Sequence, residues 1–188
     1  LSAMIQRDGG EAVFEGIIAD RPEAIQQALL GPADVVLVSG GSSVGLEDHA
    51  PRILAELGEL SIHGIAIRPS SPTGMGLLDG RPVFLLPGNP VSCLCAYDFF
   101  AGRAIRQLAG LPVDFPYPTR RLTLSRKLVS VIGRVDYARV AIQGETVEPL
   151  AISGASILSS TTRADGFVVI DQESEGMPAG AEVDVFLY

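Results

Sequence analysis

The sequence predicts an α/β fold, a doubly wound and mostly parallel sheet with helices on both faces, followed by a small all-β barrel domain. Three observations carry this. Short apolar runs alternate with helical periods from Leu1 to Gly110, as strands covered by helices do. Segment 111–118, LPVDFPYP, holds three prolines and no helical period, which marks a linker. Beyond it come short alternating runs separated by Gly, Pro and acidic turns, the pattern of a small antiparallel barrel or sandwich. The expected domains are therefore 1–110, a linker at 111–118, and 119–188.

Glu11–Ala19 reads as a strand, and Arg21–Leu30 as a helix capped by Asp20 with Pro22 in its first turn. Asp34–Val38 (DVVLV) is a short buried strand leading into the loop Ser39–Glu47. Asp48–Leu57 follows as a helix, with Pro51 in its first turn and Gly58 ending it. Ser61–Ile67 alternates as one strand. Thr73–Leu78 and Val83–Leu86 form a hairpin around Asp79-Gly80. Pro90–Leu108 is one long helix. In the second domain Arg121–Leu128, Val135–Gln143, Thr146–Leu150, Gly166–Ile170 and Glu182–Leu187 read as strands.

Of the 188 residues 47% are hydrophobic and 19% charged, enough apolar material for a packed core and against disorder. No apolar run approaches the roughly 20 residues that cross a bilayer. The start, LSAMIQRDGG, lacks a basic region followed by an apolar one. A cytoplasmic protein without a membrane partner is expected. The net charge of −8, with no basic run longer than two residues, argues against nucleic acid. Lys127 is the only lysine, so a cationic group at an anion site would be an arginine. Cys93 and Cys95 point to different faces of their helix and read as small buried hydrophobes.

Three loops have the composition of a binding site. In Ser39–Asp48 a buried strand runs into Gly40, Gly41, Ser43 and Gly45 and then into a helix. Glycines let the backbone approach an anion, and a helix start carries partial positive charge. Pro87, Gly88 and Asn89 also follow a buried strand and open a helix, with Ser92 in its first turn. In a doubly wound sheet such loops form the ligand crevice at the carboxyl ends of the strands, so the two should lie side by side. The third loop places Arg68 beside Ser70, Ser71 and two prolines, the make-up of a rigid oxyanion clasp. The bland alternatives are a flexible connector, a Pro-rich helix start and a surface turn. His49 reads as a surface residue at a helix start, His63 as structural, and Asp98 as solvated or paired.

SGGSSVGLEDH, AIRPSSPTGMG and LLPGNPVS, in this order, resemble the molybdopterin molybdenumtransferases, the MoeA and gephyrin E-domain family. Gly133–Arg139 and Gly154-Ala155-Ser156 resemble the family's barrel motifs. The resemblance implies a MogA-like molybdopterin-binding unit lacking its first strand, followed by a C-terminal β domain. It implies molybdenum cofactor biosynthesis, with molybdate inserted into adenylylated molybdopterin, Mg²⁺ required and AMP released, by a homodimer. Carried over by position, Asp48 would be the catalytic and metal-binding carboxylate. Gly40, Gly41, Ser43, Gly45, Pro87, Gly88 and Asn89 would line the pterin-phosphate pocket. Arg68, Ser71, Pro72, Ser92, Arg139 and Ser156 would contact the oxyanion. Where many members have Lys-Pro-Gly-Lys-Pro, this chain has Arg68-Pro69-Ser70-Ser71-Pro72, so the second cation becomes a neutral Ser71 and the metal oxyanion is left open between molybdate and tungstate. Two further N-terminal subdomains, a first strand and an acidic loop would precede Leu1. The alternatives are a non-catalytic binding or scaffold module and a MogA-type molybdopterin adenylyltransferase.

Overall fold

The structure, a computed structural model, describes residues 1–41, 49–151 and 158–188. They divide into two compact units, Leu1–Ile65 with Pro72–Asp114, and Ala66–Ser71 with Phe115–Tyr188.

The first unit contains α1 (Ser2–Arg7), α2 (Pro22–Leu29), β1 (Val36–Ser39), α3 (His49–Leu57) and β2 (Glu59–His63). After β3 (Ile67–Arg68), which belongs to the second unit, come β4 (Gly74–Leu78), β5 (Arg81–Leu86), α4 (Pro90–Ala96), a π-helical turn at Tyr97–Ala101, and α5 (Gly102–Leu108). The sheet order is β1-β5-β4-β2. The alternation along β5 decides how it is covered. Val83 and Leu85 pack with Leu29, Ala50, Ile53 and Leu54 of α2 and α3. Phe84 and Leu86 pack with Cys93, Ala96, Tyr97, Ala101 and Ile105 on the other face. Successive strand residues point to opposite sides, so one apolar strand binds two helical layers. Each such side chain contributes about 1.5–3 kcal/mol by its burial.

The α/β class is as expected, but within the described sheet the pairing is mixed rather than mostly parallel. Only β1–β5 is parallel. The Asp79-Gly80 turn, with φ of +51° and +77°, folds β4 straight back onto β5, and a two-residue connection permits only an antiparallel pair. Glu11–Ala19 is not a strand. Val13 and Phe14 are each 76% exposed and Ile17 is 98% exposed. Among the described residues nothing pairs with this segment, and an extended chain without a ladder leaves its backbone groups to water. Ser61–Ile67 is not one strand: β2 stops at His63, Gly64 donates its N–H to Thr73 O, and Ile67 opens a strand in the other unit. Asp20 does not cap α2. Arg21 holds the N-cap position without a side-chain bond, and Pro22 presets the first turn.

The helix over Pro90–Leu108 carries the π turn in its middle. There the Tyr97 hydroxyl donates to Asp8 Oδ2 at 2.9 Å. Asp8, fully buried, also accepts from Arg7 (2.7 and 3.1 Å) and from Arg106 (3.2 Å). Arg7 reaches on to Asp98 at 3.2 Å. Asp98 is therefore paired, not solvated.

The second unit contains β6 (Thr119–Leu124), β7 (Leu128–Val129), β8 (Val135–Gln143), β9 (Thr146–Ala151), α6 (Leu158–Thr162), β10 (Gly166–Ile170), β11 (Gly176–Met177) and β12 (Glu182–Leu187). The order β10-β12-β6-β9-β8 closes through β10–β8 into a five-strand barrel, and β3 adds in parallel to β8. Leu122, Leu124, Ala138, Val140, Val147, Val168, Ile170, Val183 and Val185 fill the barrel. Phe167 stacks between Tyr137 at 4.2 Å and Phe186 at 5.0 Å. Phe115 and Tyr117 meet it edge-on, which fastens the end of the Pro-rich segment to the barrel.

Candidate functional site

In the first unit the parallel pairing of β1 and β5 sets Ser39 opposite Leu86, so both strands end at one edge of the sheet. Gly40 donates its N–H to Leu86 O at 3.1 Å. A Cβ added to Gly88 would lie 3.3 Å from the Gly40 Cα. The two loops are thus in direct backbone contact. Gly40 and Gly41 take φ of +91° and +61°, conformations open to glycine and rarely to other residues. Gly41, Gly88 and Asn89 are exposed, while Pro87 is buried beneath them. Ser92, 2% exposed, lies in the first turn of α4. Exposed backbone and small polar groups of the two loops thus meet at the carboxyl ends of the parallel strands β1 and β5. Ser43, Gly45 and Asp48 lie outside the described residues, as does Ser156.

Cys93 is buried next to the first of these loops, its Sγ 3.5 Å from Ser39 Oγ. Burial pushes the thiol above its usual range, against a smaller lowering by the Ser39 bond. It therefore stays a thiol and packs as a small hydrophobe.

The second unit holds Arg68, Ser71 and Arg139, while Pro72 and Ser92 belong to the first. Arg68 does not present an empty fork. Its Nε donates to Asp136 Oδ1 at 3.0 Å and its Nη2 to Oδ2 at 2.6 Å, because β3 runs beside β8 with Arg68 opposite Asp136. Ser130 Oγ donates to Oδ2 at 2.6 Å and Arg134 Nε to Oδ1 at 3.2 Å. Asp136 is fully buried, and a buried carboxylate needs such partners. Arg139, also fully buried, donates from Nε to Ser160 Oγ at 2.9 Å, at the point where the β8–β9 register shifts. Ser130, Arg134 and Asp136 were missing from the sequence-based site. The available signal was a carboxylate inside the alternating run RVDYARVAI.

Among the described residues no group of three or more His, Cys, Asp or Glu side chains is placed to hold a metal ion. Among the described residues no helix is long and apolar enough to cross a membrane.

An α/β unit with two contacting glycine loops, joined to a unit built on a five-strand closed barrel, defines the fold class. Residues 1–107 match the family described as "Probable molybdopterin binding domain" and residues 121–188 match "MoeA C-terminal region (domain IV)". The chain belongs to the molybdopterin-binding domain family, in its MoeA arrangement. It is 34% identical over 192 residues to a molybdopterin biosynthesis protein of Methanocaldococcus jannaschii, covering 100% of this chain and 45% of the relative. It is 32% identical over 187 residues to molybdopterin molybdenumtransferase 1 of Mycobacterium tuberculosis, covering 90% and 43%. The MoeA structure of Pyrococcus horikoshii superposes with a TM-score of 0.79 at 33% identity, over 99% of this chain and 46% of that one. The chain thus spans less than half the length of these relatives.

Proposed function

We propose that this chain carries the pterin-binding and oxyanion-binding half of a molybdopterin molybdenumtransferase. The observation that supports it most is the contact between the Ser39–Gly41 and Leu86–Asn89 loops. Their backbone N–H groups and small side chains suit the phosphate of molybdopterin, and adenylylated molybdopterin would lie along the same edge. Arg68, Ser71, Arg139 and Ser156, all of the second unit, are assigned to molybdate, a tetrahedral dianion suited to guanidinium and hydroxyl donors. Uptake of the metal oxyanion would accompany cleavage of the phosphoanhydride and release of AMP. Asp48 with Mg²⁺ belongs to the same reading, as do a homodimer and a cytoplasmic location.

Fluorescence titration with molybdopterin tests the loop pair. Gly88→Val would force a side chain against Gly40 and should weaken binding by about tenfold or more; unchanged affinity would remove the loop pair from the site. A MogA-type adenylyltransferase is disfavoured by the second unit, which matches the MoeA C-terminal region.

A further inference from the structure

We propose that Arg134 pairs with Arg68 to form a two-guanidinium clasp for a tetrahedral dianion, and that Asp136 is the positioning residue that holds the pair. The proposal rests on the function proposed above and adds two residues to it. All its groups lie within the second unit.

Four donors converge on Asp136: Arg68 twice, Ser130 once and Arg134 once. That fills the roughly four lone-pair positions a carboxylate offers. Arg68 alone, docked through both nitrogens, already neutralises the buried charge. Arg134 is therefore a second cation on one anion, leaving a local charge of +1 in a chain whose net charge is −8. The arrangement is costly for a purely structural ion pair, because the two guanidiniums repel each other. A dianion bound across them would offset that repulsion.

The unused donors are in the right state to do so. Arg68 spends Nε and Nη2, Arg134 spends Nε, and among the described residues the Nη1 of Arg68 and both Nη atoms of Arg134 have no protein partner. The two side chains keep 29% and 30% of their surface exposed, while Asp136 keeps none. The carboxylate is thus a buried anchor, and the free N–H edges reach solvent. Ser71, exposed in the same segment as Arg68, adds a hydroxyl and no charge. Arg134 thereby gives the site a second cation where the sequence motif offers only Ser71.

Calorimetric titration of the chain with sodium molybdate, and separately with inorganic phosphate, tests this. Arg134→Gln should weaken molybdate binding roughly tenfold or more with an unchanged melting temperature. Arg134→Lys, which keeps the charge but loses the planar fork, should also weaken it, by less. Asp136→Asn separates positioning from charge. It raises the local charge by one, so a pure charge effect would tighten binding, whereas loss of orientation weakens it. Arg134→Gln binding within twofold of the parent overturns the proposal, as does tighter binding by a folded Asp136→Asn. If that variant does not fold, the two Arg134 variants decide. Binding of neither anion to the parent chain also overturns it. Phosphate binding with the same losses, and no molybdate binding, supports the clasp and assigns it to a phosphate group in place of molybdate. Because Gly88→Val tests the other unit, failure of the clasp is distinguishable from failure of the loop pair.

Discussion

Asp8 and Asp136 are both buried carboxylates neutralised by arginines, and each ties distant parts of the chain together. Burial alone would raise the Asp8 carboxyl, but the bonds from Arg7, Tyr97 and Arg106 outweigh it and hold it below the usual range. The native state therefore resists protonation more than the unfolded chain does. Its contribution is complete above the ordinary carboxylate pKa and fades as pH falls through the lower native value. Asp8→Asn should destabilise the first unit by about 3 kcal/mol at pH 7, the low end for a broken buried pair, since Arg7 still reaches solvent. The loss should shrink in acid. Urea unfolding at pH 7 and in acid measures both, and a pH-independent loss would contradict the assignment. At this scale the sequence was partly legible. Gly40, Gly88 and Ser92 stood out because small residues after an apolar run have few other uses. Asp8 and Asp136 did not, because Tyr97 and Arg106 reach Asp8, and Arg68 reaches Asp136, from far along the chain, and no local pattern names those partners.

Among the elements, the hairpin at Asp79-Gly80 was legible because Asp-Gly between apolar runs has essentially one tight solution. β8, β10 and β12 were equally plain, their alternation set by a barrel with one face inward. Gly80→Ala should cost about 1 kcal/mol, as a side chain is placed at φ +77°. No loss in a chemical melt would mean that the turn relaxes. Glu11–Ala19 misled for a physical reason. Its β-branched and aromatic composition suits a strand, yet a strand is a relation between two segments, and none of the described residues supplies the second. Ser61–Ile67 misled differently, since alternation continues through Gly64 while the chain passes from one sheet to another.

At the scale of the molecule, two compact units share one chain: a layered α/β unit that holds the glycine loops, and a unit built on a closed barrel that holds Arg68 and Arg134. The order of fold classes could be read from the Pro-rich texture at 111–118. The strand at Ile67–Arg68 that the barrel takes from the earlier half could not, for two residues carry no periodicity. That excursion puts Arg68 beside Asp136 within the second unit. The central claim is that the glycine loops and the arginines serve molybdenum insertion. It is tested most directly by measuring molybdate-dependent AMP release from adenylylated molybdopterin by the protein that contains this chain. Release should require molybdate and should fall about tenfold or more in both Gly88→Val and Arg68→Ala. Release that proceeds without molybdate, or that neither substitution slows, would contradict the account.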